Sequence, residues 1–460
     1  MKRKQFILPF LSFVCAVNIM AQSKPKDSNA SLPFEPNPQT DKKALEHFAN
    51  EKFGVMLTWG PYTMNGQEAS WSMHDRAAYE SYYTKWMPKG FDTNAWGKLF
   101  TTLGAKYLVW VTKHHDGLCL WDTRTTDNNI MNLPYHENIT ADFANMCKKY
   151  GMNFGAYISI IDVHDSKWNR VYPHGAKMPG FPEQVPQIAQ LLKDQTLELI
   201  KEFHPFVLWF DGAWLDGWRS SKYPVELENV FRRSEPNALI TRLGNNTDDF
   251  ESMEAKIGTY RQYPWETVTS VAYPRYSWSP DLKYKTVPYL IETLSRIVCG
   301  NGNYLLSFIP DADGRIPAAQ QKIAAEMGAW VHKNAKAIFG TRGGPYYPNN
   351  WGGSTHKGRK VYLYILPEAP EKFLLPTIGA KIIKTKIING GNILIKPTDK
   401  KLVIDAPVNE RGVEGVTIVE LTLDHEVSGM IEASRTNTKI NGSVNDDVRP
   451  IEDRKGKVLK

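Results

Sequence analysis

The chain has 460 residues, of which 42% are hydrophobic and 23% are charged. These proportions are ordinary for a globular protein and exclude a wholly disordered chain. The formal net charge of +7 comes from scattered Lys and Arg, so it does not indicate a nucleic-acid partner, and the length suits two domains.

Residues 1–21 have the pattern of a secretory signal peptide. A basic start at 2–4 precedes an apolar stretch at 6–20. We therefore expect an exported protein, periplasmic or secreted. Cys15 raises the alternative of a lipoprotein anchor, which we disfavour because residues 12–14 lack the small residue that usually precedes a lipidated cysteine. No later segment is long enough to span a membrane.

Residues 22–40 are rich in Ser, Pro, Asn and Lys, and we expect a flexible leader. From residue 41 to 340, strand-like and helix-like runs alternate, which predicts parallel strands with crossover helices, a (β/α)₈-like TIM barrel. The predicted strands cover 53–59, 106–112, 153–160, 206–210, 238–242 and 304–309, and the predicted helices cover 93–103, 140–150, 188–203, 288–298 and 317–335. The stretch 245–281 has no clean period and is expected to be an irregular active-site loop.

The pattern changes beyond the barrel. Residues 341–440 contain short β-rich runs separated by Gly, Asn, Asp and Pro, which predicts a small C-terminal β-sandwich domain. Residues 441–460 form a polar tail. Downstream of the signal, only Cys119, Cys147 and Cys299 remain, and their odd number and wide spacing argue against a disulfide framework or a zinc site.

Asp211 ends the apolar run 206–210, which is typical of a buried strand. In a barrel of this kind, the carboxyl ends of the strands form the catalytic face. Asp211 is therefore a candidate catalyst, and the alternative is an ordinary turn aspartate, as most Asp-Gly pairs are.

Three further segments place polar or aromatic groups at strand ends, namely FGVMLTWGPY at 53–62, KYLVWVTKHHDG at 106–117 and NFGAYIS at 153–159. Together with PWETVTS at 264–270, they resemble glycoside hydrolase family 29, the retaining α-L-fucosidases, of the bacterial secreted type. The resemblance spans about residues 45–345. It implies a catalytic barrel followed by a β-sandwich, with Asp211 as the nucleophile.

Retaining hydrolysis needs a second carboxyl group as acid and then base, about 5 to 5.5 Å from the nucleophile. Glu266 is the first choice, because its Trp-Glu-Thr context resembles the family's acid/base motif and falls in the irregular stretch. A solvated loop glutamate is the alternative. Glu254 is the reserve candidate. Whichever acts should have a raised pKa, so that it carries a proton when the glycoside binds.

The resemblance also implies sugar-binding residues. His114 and His115 match the family's paired histidines, and the alternatives are a metal site or a core histidine. Adjacent residues on a regular strand point to opposite faces, which argues against both histidines binding one ion. Further matches are Tyr157, Trp209 and Arg242 at strand ends, with Trp59 and Trp71 expected to line the pocket.

Two departures from the family pattern touch the sugar pocket. Thr58 stands where the family usually has a histidine, and the family's Glu-Trp pair appears as Ala69-Ser70-Trp71, with Glu68 displaced. A missing hydrogen-bond donor can alter discrimination between sugars. L-Fucose is the expected glycone, and L-galactose is the alternative.

The sequence thus predicts an exo-acting enzyme that removes terminal α-L-fucosyl residues from oligosaccharides or glycoconjugates through a covalent intermediate. That chemistry needs no metal and no organic cofactor. The alternatives are a catalytically weak glycan-binding barrel and a metal-dependent hydrolase.

Overall fold

The computed structural model describes residues 34, 36–66, 76–164, 184–215, 217–245, 248–255, 257, 260–273, 276–412, 415–427 and 429–435. The predicted signal peptide and polar tail lie outside these residues, as do Glu68, Ser70 and Trp71. The described residues between 36 and 435 form one compact unit. Among the described residues, no helix is both long and apolar enough to cross a bilayer.

Eight parallel strands form a nearly closed barrel sheet. In chain order they are β1 (Phe53–Leu57), β2 (Tyr107–Lys113), β3 (Asn153–Ser159), β4 (Val207–Asp211), β5 (Leu239–Thr241), β6 (Glu251–Glu254), β7 (Trp265–Ser270) and β10 (Gly302–Phe308), while β8 (Ala272–Tyr273) and β9 (Lys283–Tyr284) form a separate two-stranded sheet. The order in the barrel sheet is β5-β4-β3-β2-β1-β10-β7-β6, so the edge strands β5 and β6 flank the remaining opening.

The helices that surround this sheet are α1 (Lys42–Glu51), α2 (Arg76–Tyr83), α3 (Thr93–Leu103), α4 (Ile139–Tyr150), α5 (Val185–Phe203), α6 (Tyr223–Ser234), α7 (Val287–Cys299), α8 (Ala318–Lys333) and α9 (Ala335–Ile338). Local sequence sets several of their ends. The side chains of Asp92 and Asn138 cap the first turns of α3 and α4, and Gly104 and Gly151 end the same helices in the left-handed conformation.

The stretch 245–281 is not the irregular loop that its composition predicts. It contains β6 and β7, which complete the barrel sheet. Every residue of β7 is buried, although Glu, Thr and Ser make up most of the strand. Polar residues lie on both faces of β7, with Glu266 and Ser270 on the face of Val268 and Thr267 and Thr269 on the face of Trp265, so the strand lacks the apolar alternation by which strands are recognised in a sequence.

Two antiparallel sheets follow the barrel, as predicted for the β-sandwich. Their strands are β11 (Arg342–Gly343), β12 (Gly352–Lys357), β13 (Lys360–Ile365), β14 (Lys372–Pro376), β15 (Ile382–Asn389), β16 (Leu394–Pro397), β17 (Lys401–Asp405) and β18 (Thr417–Leu423). One sheet has the order β11-β12-β13-β18-β15 and the other the order β14-β17-β16. The predicted fold class is therefore confirmed. The domain boundary at residue 340 stays a prediction.

The main core is continuous between the barrel helices and the five-stranded sheet. It includes Tyr364 of β13 and Ile418 of β18 together with the barrel residues. The Tyr364 hydroxyl donates to the Ala337 carbonyl over 2.6 Å, and the Trp330 indole N–H donates to the Val416 carbonyl over 3.4 Å. Cys119, Cys147 and Cys299 are also buried in this core as free thiols.

Candidate active site

A cavity of about 300 Å³ lies at the carboxyl ends of the barrel strands. Seven residues predicted from the sequence, together with the reserve glutamate, line it. They are Thr58, His114, His115, Tyr157, Trp209, Asp211, Arg242 and Glu254. The parallel sheet gathers these side chains because they lie at or near the carboxyl ends of six strands, β1 to β6, so residues far apart in the chain meet at one edge.

Asp211, the last residue of β4, is held by four groups. Its Oδ2 accepts a hydrogen bond from the Tyr157 hydroxyl at 2.8 Å and lies 3.5 Å from His115 Nε2. Its Oδ1 accepts from the Arg242 guanidinium at 3.0 Å and from the Gly212 backbone N–H at 2.9 Å. The carboxylate is thus fixed in one orientation, with only 17% of its side chain exposed.

These partners decide the charge of Asp211. Burial alone would raise its pKa, but the positive charge of Arg242 and the neighbouring His115 and Tyr157 outweigh burial and lower the pKa to about 2. Asp211 is therefore an ionised carboxylate at any pH near neutrality.

The two histidines lie on the same cavity. They follow β2 directly, beyond the regular strand, so the alternation that would send them to opposite faces no longer applies. Their ring centroids are 4.6 Å apart, and His115 Nδ1 lies 2.6 Å from the Ser159 hydroxyl. Burial lowers the pKa of both rings, so each is a neutral imidazole that can donate and accept hydrogen bonds.

Aromatic rings form one wall of the cavity. The ring of Tyr157 stacks between His114, at 5.7 Å, and Trp209, at 5.2 Å between centroids. The Arg242 guanidinium lies 4.3 Å from the Trp209 ring centroid on the ring's face. Such a contact combines cation–π attraction with close packing, and it orients Arg242 towards Asp211.

Glu266 does not line this cavity. It is the second residue of β7, near the amino end of the strand, and it is 1% exposed. Its Oε2 accepts from the Tyr107 hydroxyl at 2.6 Å, and its Oε1 accepts from the Trp209 indole at 3.1 Å. Its expected position in an irregular loop is therefore wrong, because the carboxyl lies inside the barrel and supports Trp209.

The glutamate that lies in the cavity beside Asp211 is Glu254, the reserve candidate. It ends β6, lines the cavity with Asp211, and half of its side chain is exposed. Its Oε2 is 3.9 Å from the Arg242 guanidinium nitrogen that also contacts Asp211. Burial raises its pKa, the charge of Arg242 opposes that shift, and the negative charge of Asp211 adds to it.

Arg242 has a backbone φ of 61°, the left-handed region that non-glycine residues rarely adopt. Its N–H donates to the Asp248 carboxylate at 2.9 Å, which stabilises this turn after β5. Strained backbone of this kind clusters at functional sites, where neighbouring structure supports it. Here it directs the guanidinium into the cavity.

The two predicted pocket residues that follow β1, Thr58 and Trp59, lie on opposite sides of the backbone. Thr58 is buried and lines the cavity. Trp59 does not line it: the ring is fully buried against Trp86 and Phe91, and its N–H donates to the Asp311 carbonyl at 2.9 Å. As the neighbour of Thr58 on an extended backbone, Trp59 points to the opposite side, into the layer between sheet and helices.

Four residues of the cavity wall were not anticipated, and they are Met56, Trp214, Val268 and Tyr276. Met56 could have been found, because it lies two positions before Thr58 and so shares its face of the strand. Trp214 and Tyr276 lie in loops, whose path the sequence does not reveal.

Comparisons with known proteins identify the family and the fold of this chain. The alpha-L-fucosidase family model matches residues 19–336. Tissue alpha-L-fucosidase from Bos taurus is 24% identical over 448 residues, covering 88% of this chain and 94% of the bovine protein. Among solved structures, alpha-L-fucosidase isoenzyme 1 from Paenibacillus thiaminolyticus is 26% identical with a TM-score of 0.72, covering 83% of this chain and 99% of that one.

A second solved structure shows the same fold. It is a family 29 alpha-L-fucosidase from Bacteroides thetaiotaomicron, described as a trapped covalent intermediate in complex with 2-fluoro-fucosyl fluoride. It is 20% identical to this chain with a TM-score of 0.74, and the match covers 85% of this chain and 99% of that one.

Proposed function

This chain belongs to the alpha-L-fucosidase family and is a glycoside hydrolase, and from that premise we propose that it removes terminal α-L-fucosyl residues from glycans by double displacement. Asp211 is the nucleophile and Glu254 is the acid and then the base. This assignment replaces Glu266, which lies inside the barrel.

One observation carries the proposal. A single guanidinium nitrogen of Arg242 lies 3.0 Å from Asp211 and 3.9 Å from Glu254. The shared contact brings two carboxyl groups together in one cavity and permits the separation of about 5 to 5.5 Å that retaining hydrolysis requires. Their environments differ, because Asp211 is held ionised while burial raises the pKa of Glu254. Two neighbouring carboxyl groups whose pKa values are shifted in opposite directions are suited to act as a nucleophile and an acid.

In the first step, Asp211 attacks the anomeric carbon and Glu254 protonates the departing glycosidic oxygen, which leaves as an alcohol. In the second step, the Glu254 carboxylate takes a proton from water, and the water oxygen displaces Asp211 from the same carbon. The sugar therefore keeps its anomeric configuration. The covalent intermediate named for the Bacteroides thetaiotaomicron enzyme supports the same pathway here.

The cavity wall suits fucose. His114 and His115 are neutral and can exchange hydrogen bonds with sugar hydroxyls, whereas Met56 and Val268 offer apolar surface to the methyl group of a 6-deoxy sugar. L-Galactose, which carries a hydroxyl at the same carbon, would place a polar group against these apolar residues.

The amino-terminal pattern of residues 1–21 supports export of a bacterial, secreted form of the enzyme. Mass spectrometry of the mature protein from its native host should find an amino terminus at or just after residue 22. An intact Met1 would contradict export, and a lipid on Cys15 would show an anchor instead.

The catalytic pair can be tested with 4-nitrophenyl α-L-fucoside and added azide. Asp211→Gly should lose roughly 10² or more in kcat/KM, and azide should give the inverted β-fucosyl azide from the face that Asp211 occupied. With Glu254→Gly the intermediate still forms, so azide should enter from the leaving-group face and give the retained α-fucosyl azide.

Glu266→Gln is the matched control and should give no fucosyl azide. A retained azide product from a Glu266 variant, with none from Glu254→Gly, would return the acid role to Glu266. No turnover by the wild type would contradict fucosidase activity. The α-L-galactoside would then test the other glycone, and sugar binding without turnover would indicate a glycan-binding protein.

A further inference from the structure

Residues 36–41, which lead into α1, pack against α6 and the loop between β5 and β6. Asn37 makes the central contacts and is only 8% exposed. Its backbone N–H donates to the Asp248 carbonyl at 3.1 Å, and its side-chain amide donates to the Glu228 carboxylate of α6. The segment thus joins a helix to the loop that carries Arg242, and we call residues 36–41 the amino-terminal brace.

The brace supplies hydrogen-bond donors to two buried carboxyl groups. Glu228 and Asp249 are 5% and 0% exposed, and Arg232 contacts both at 2.6 Å. One guanidinium does not satisfy two buried carboxyl groups, so each needs further donors. Asn37 donates to Glu228, and the Thr40 hydroxyl donates to Asp249. Removal of either donor therefore weakens the pairing of a buried carboxyl group, which is costly.

Asp248 and Asp249 link the brace to Arg242. The Asp249 carboxyl accepts from the Ile240 N–H of β5 at 2.7 Å, and the Asp249 N–H donates to the Ile240 carbonyl at 2.9 Å. The Asp248 carboxyl accepts from the Arg242 N–H at 2.9 Å, while the Asp248 carbonyl accepts from Asn37. Asp248 is therefore held by the brace on one side and holds Arg242 on the other.

Arg242 needs this support because its backbone φ of 61° lies in a region that non-glycine residues rarely adopt. Such a conformation persists only where the surrounding structure enforces it. A relaxed backbone would turn the guanidinium away from the two catalytic carboxyl groups. We propose that the amino-terminal brace positions Arg242 for catalysis, with Asn37 and Thr40 as positioning residues. Neither of these two residues lines the cavity, so both act through the loop and not through contact with the sugar.

This inference rests on the proposed fucosidase function, since it takes the two catalytic groups from that assignment. The protonation of Glu254 should respond to the brace. Burial raises the pKa of Glu254, the charge of Arg242 opposes that shift, and the charge of Asp211 adds to it. If Arg242 moves away, the pKa of Glu254 rises, and the alkaline limb of kcat/KM, which reports the proton on the acid, moves to higher pH. A simple loss of folded protein leaves that limb unchanged.

The test compares brace variants in the hydrolysis of 4-nitrophenyl α-L-fucoside. Asn37→Ala and Thr40→Val should each lower kcat/KM by about 10-fold and move its alkaline limb to higher pH. Thr40→Ser keeps the hydroxyl and should behave as the wild type. Gln39→Ala, at an exposed position within the brace, is the matched control and should also behave as the wild type. Wild-type kinetics in both Asn37→Ala and Thr40→Val would overturn the proposal.

A double-mutant cycle shows whether the brace acts through Arg242. Arg242→Ala has no guanidinium to position, so adding Asn37→Ala to it should change kcat/KM by less than about 2-fold. An equal loss in both backgrounds would mean that Asn37 acts independently of Arg242, and the proposal would be wrong. If Asn37→Ala does not fold, Thr40→Val takes its place in the cycle, because valine keeps the shape of threonine.

Absence of turnover by the wild type would contradict the proposed function, and hydrogen exchange then tests the brace separately. The backbone amides of Arg242 and Asp249, which the loop contacts protect, should exchange about 10-fold faster in Asn37→Ala than in the wild type. The amides of β2, three strands away from β5 in the sheet, should exchange at the same rate in both proteins. Equal exchange of the two loop amides would show that the brace does not hold Arg242.

Discussion

Arg242 organises the site at the scale of single residues. It contacts both carboxyl groups and the face of Trp209, and its backbone turn is held by Asp248. One cation therefore lowers the pKa of Asp211 and limits how far burial raises that of Glu254. Because Asp211 is closer, it feels the charge more strongly, and the two carboxyls are driven towards different protonation states.

Glu266 gives a prediction about pH and stability. Burial raises its pKa from 4.5 to about 7, while hydrogen bonds from Tyr107 and Trp209 oppose the shift. The folded protein therefore holds a proton that the unfolded chain releases between these pH values. Stability should accordingly fall as pH rises from about 4.5 to 7, by about 3 kcal/mol from this group.

Glu266→Gln should remove the part of the pH dependence of stability that comes from this carboxyl group. The glutamine carbonyl can accept from Trp209, and its amide can donate to the Tyr107 hydroxyl, so the variant keeps both bonds. We expect its urea midpoint to fall less than that of the wild type between pH 5 and pH 8. Parallel midpoints of the two proteins across that range would show that Glu266 has the same protonation state folded and unfolded.

Asp211, Tyr157, Trp209 and the paired histidines could be predicted from the sequence because they lie at or just beyond the carboxyl ends of recognisable buried strands. Glu266 could not be placed, since Trp-Glu-Thr looks alike in a loop and at the start of a buried polar strand. A glutamate at the carboxyl end of its strand would reach the catalytic face, whereas Glu266 lies near the amino end of β7. The sequence does not show where β7 begins, because the strand consists mostly of polar residues. Trp59 was expected to line the pocket, but it follows Thr58 directly and therefore points to the opposite face of the strand.

At the scale of elements, the sequence predicts strands β1 to β5 and β10 and helices α3, α4, α5, α7 and α8, whereas it does not predict β6, β7 or α6. The helices must also approach each other closely. In α8, a Cβ atom added at Gly328 would lie 2.0 Å from the Thr102 carbonyl oxygen at the end of α3. That contact is with backbone, so neither helix can yield without moving as a whole.

Gly328→Ala should therefore destabilise the protein by about 1–3 kcal/mol, the range for overpacked cores. In an exposed helix the same change would stabilise by up to about 1 kcal/mol, so the sign of the effect tests the packing. Lys322→Ala, on the exposed face of the same helix, is the control and should change stability by less than about 0.5 kcal/mol. A stabilised Gly328→Ala protein would mean that the two helices lie further apart.

At the scale of the whole molecule, the five-stranded sheet braces the barrel. Tyr362, Tyr364, Val416 and Ile418 belong to the same core as the barrel helices. The sequence predicted two domains from a change of pattern near residue 340, but it contained no sign of how much apolar surface the two parts bury together.

We expect the barrel and this sheet to unfold together. Thermal unfolding followed by far-ultraviolet and near-ultraviolet circular dichroism should give coincident transitions. A truncated protein ending at residue 340 should be unstable or aggregate, because it would expose Ala337, Ile338 and Trp330, which the sheet covers. Two separate transitions, or a stable truncated barrel, would show that the parts fold independently.

The three buried thiols determine how the folded protein reacts with thiol reagents. Burial raises the pKa of Cys119, Cys147 and Cys299, so little reactive thiolate forms at any of them while the fold is intact. Oxidation or alkylation then requires the core to open. The rate at which an added reagent alkylates them therefore reports global unfolding without any engineered cysteine. Cys119 and Cys147 report on the barrel, and Cys299 reports on its contact with the sheet.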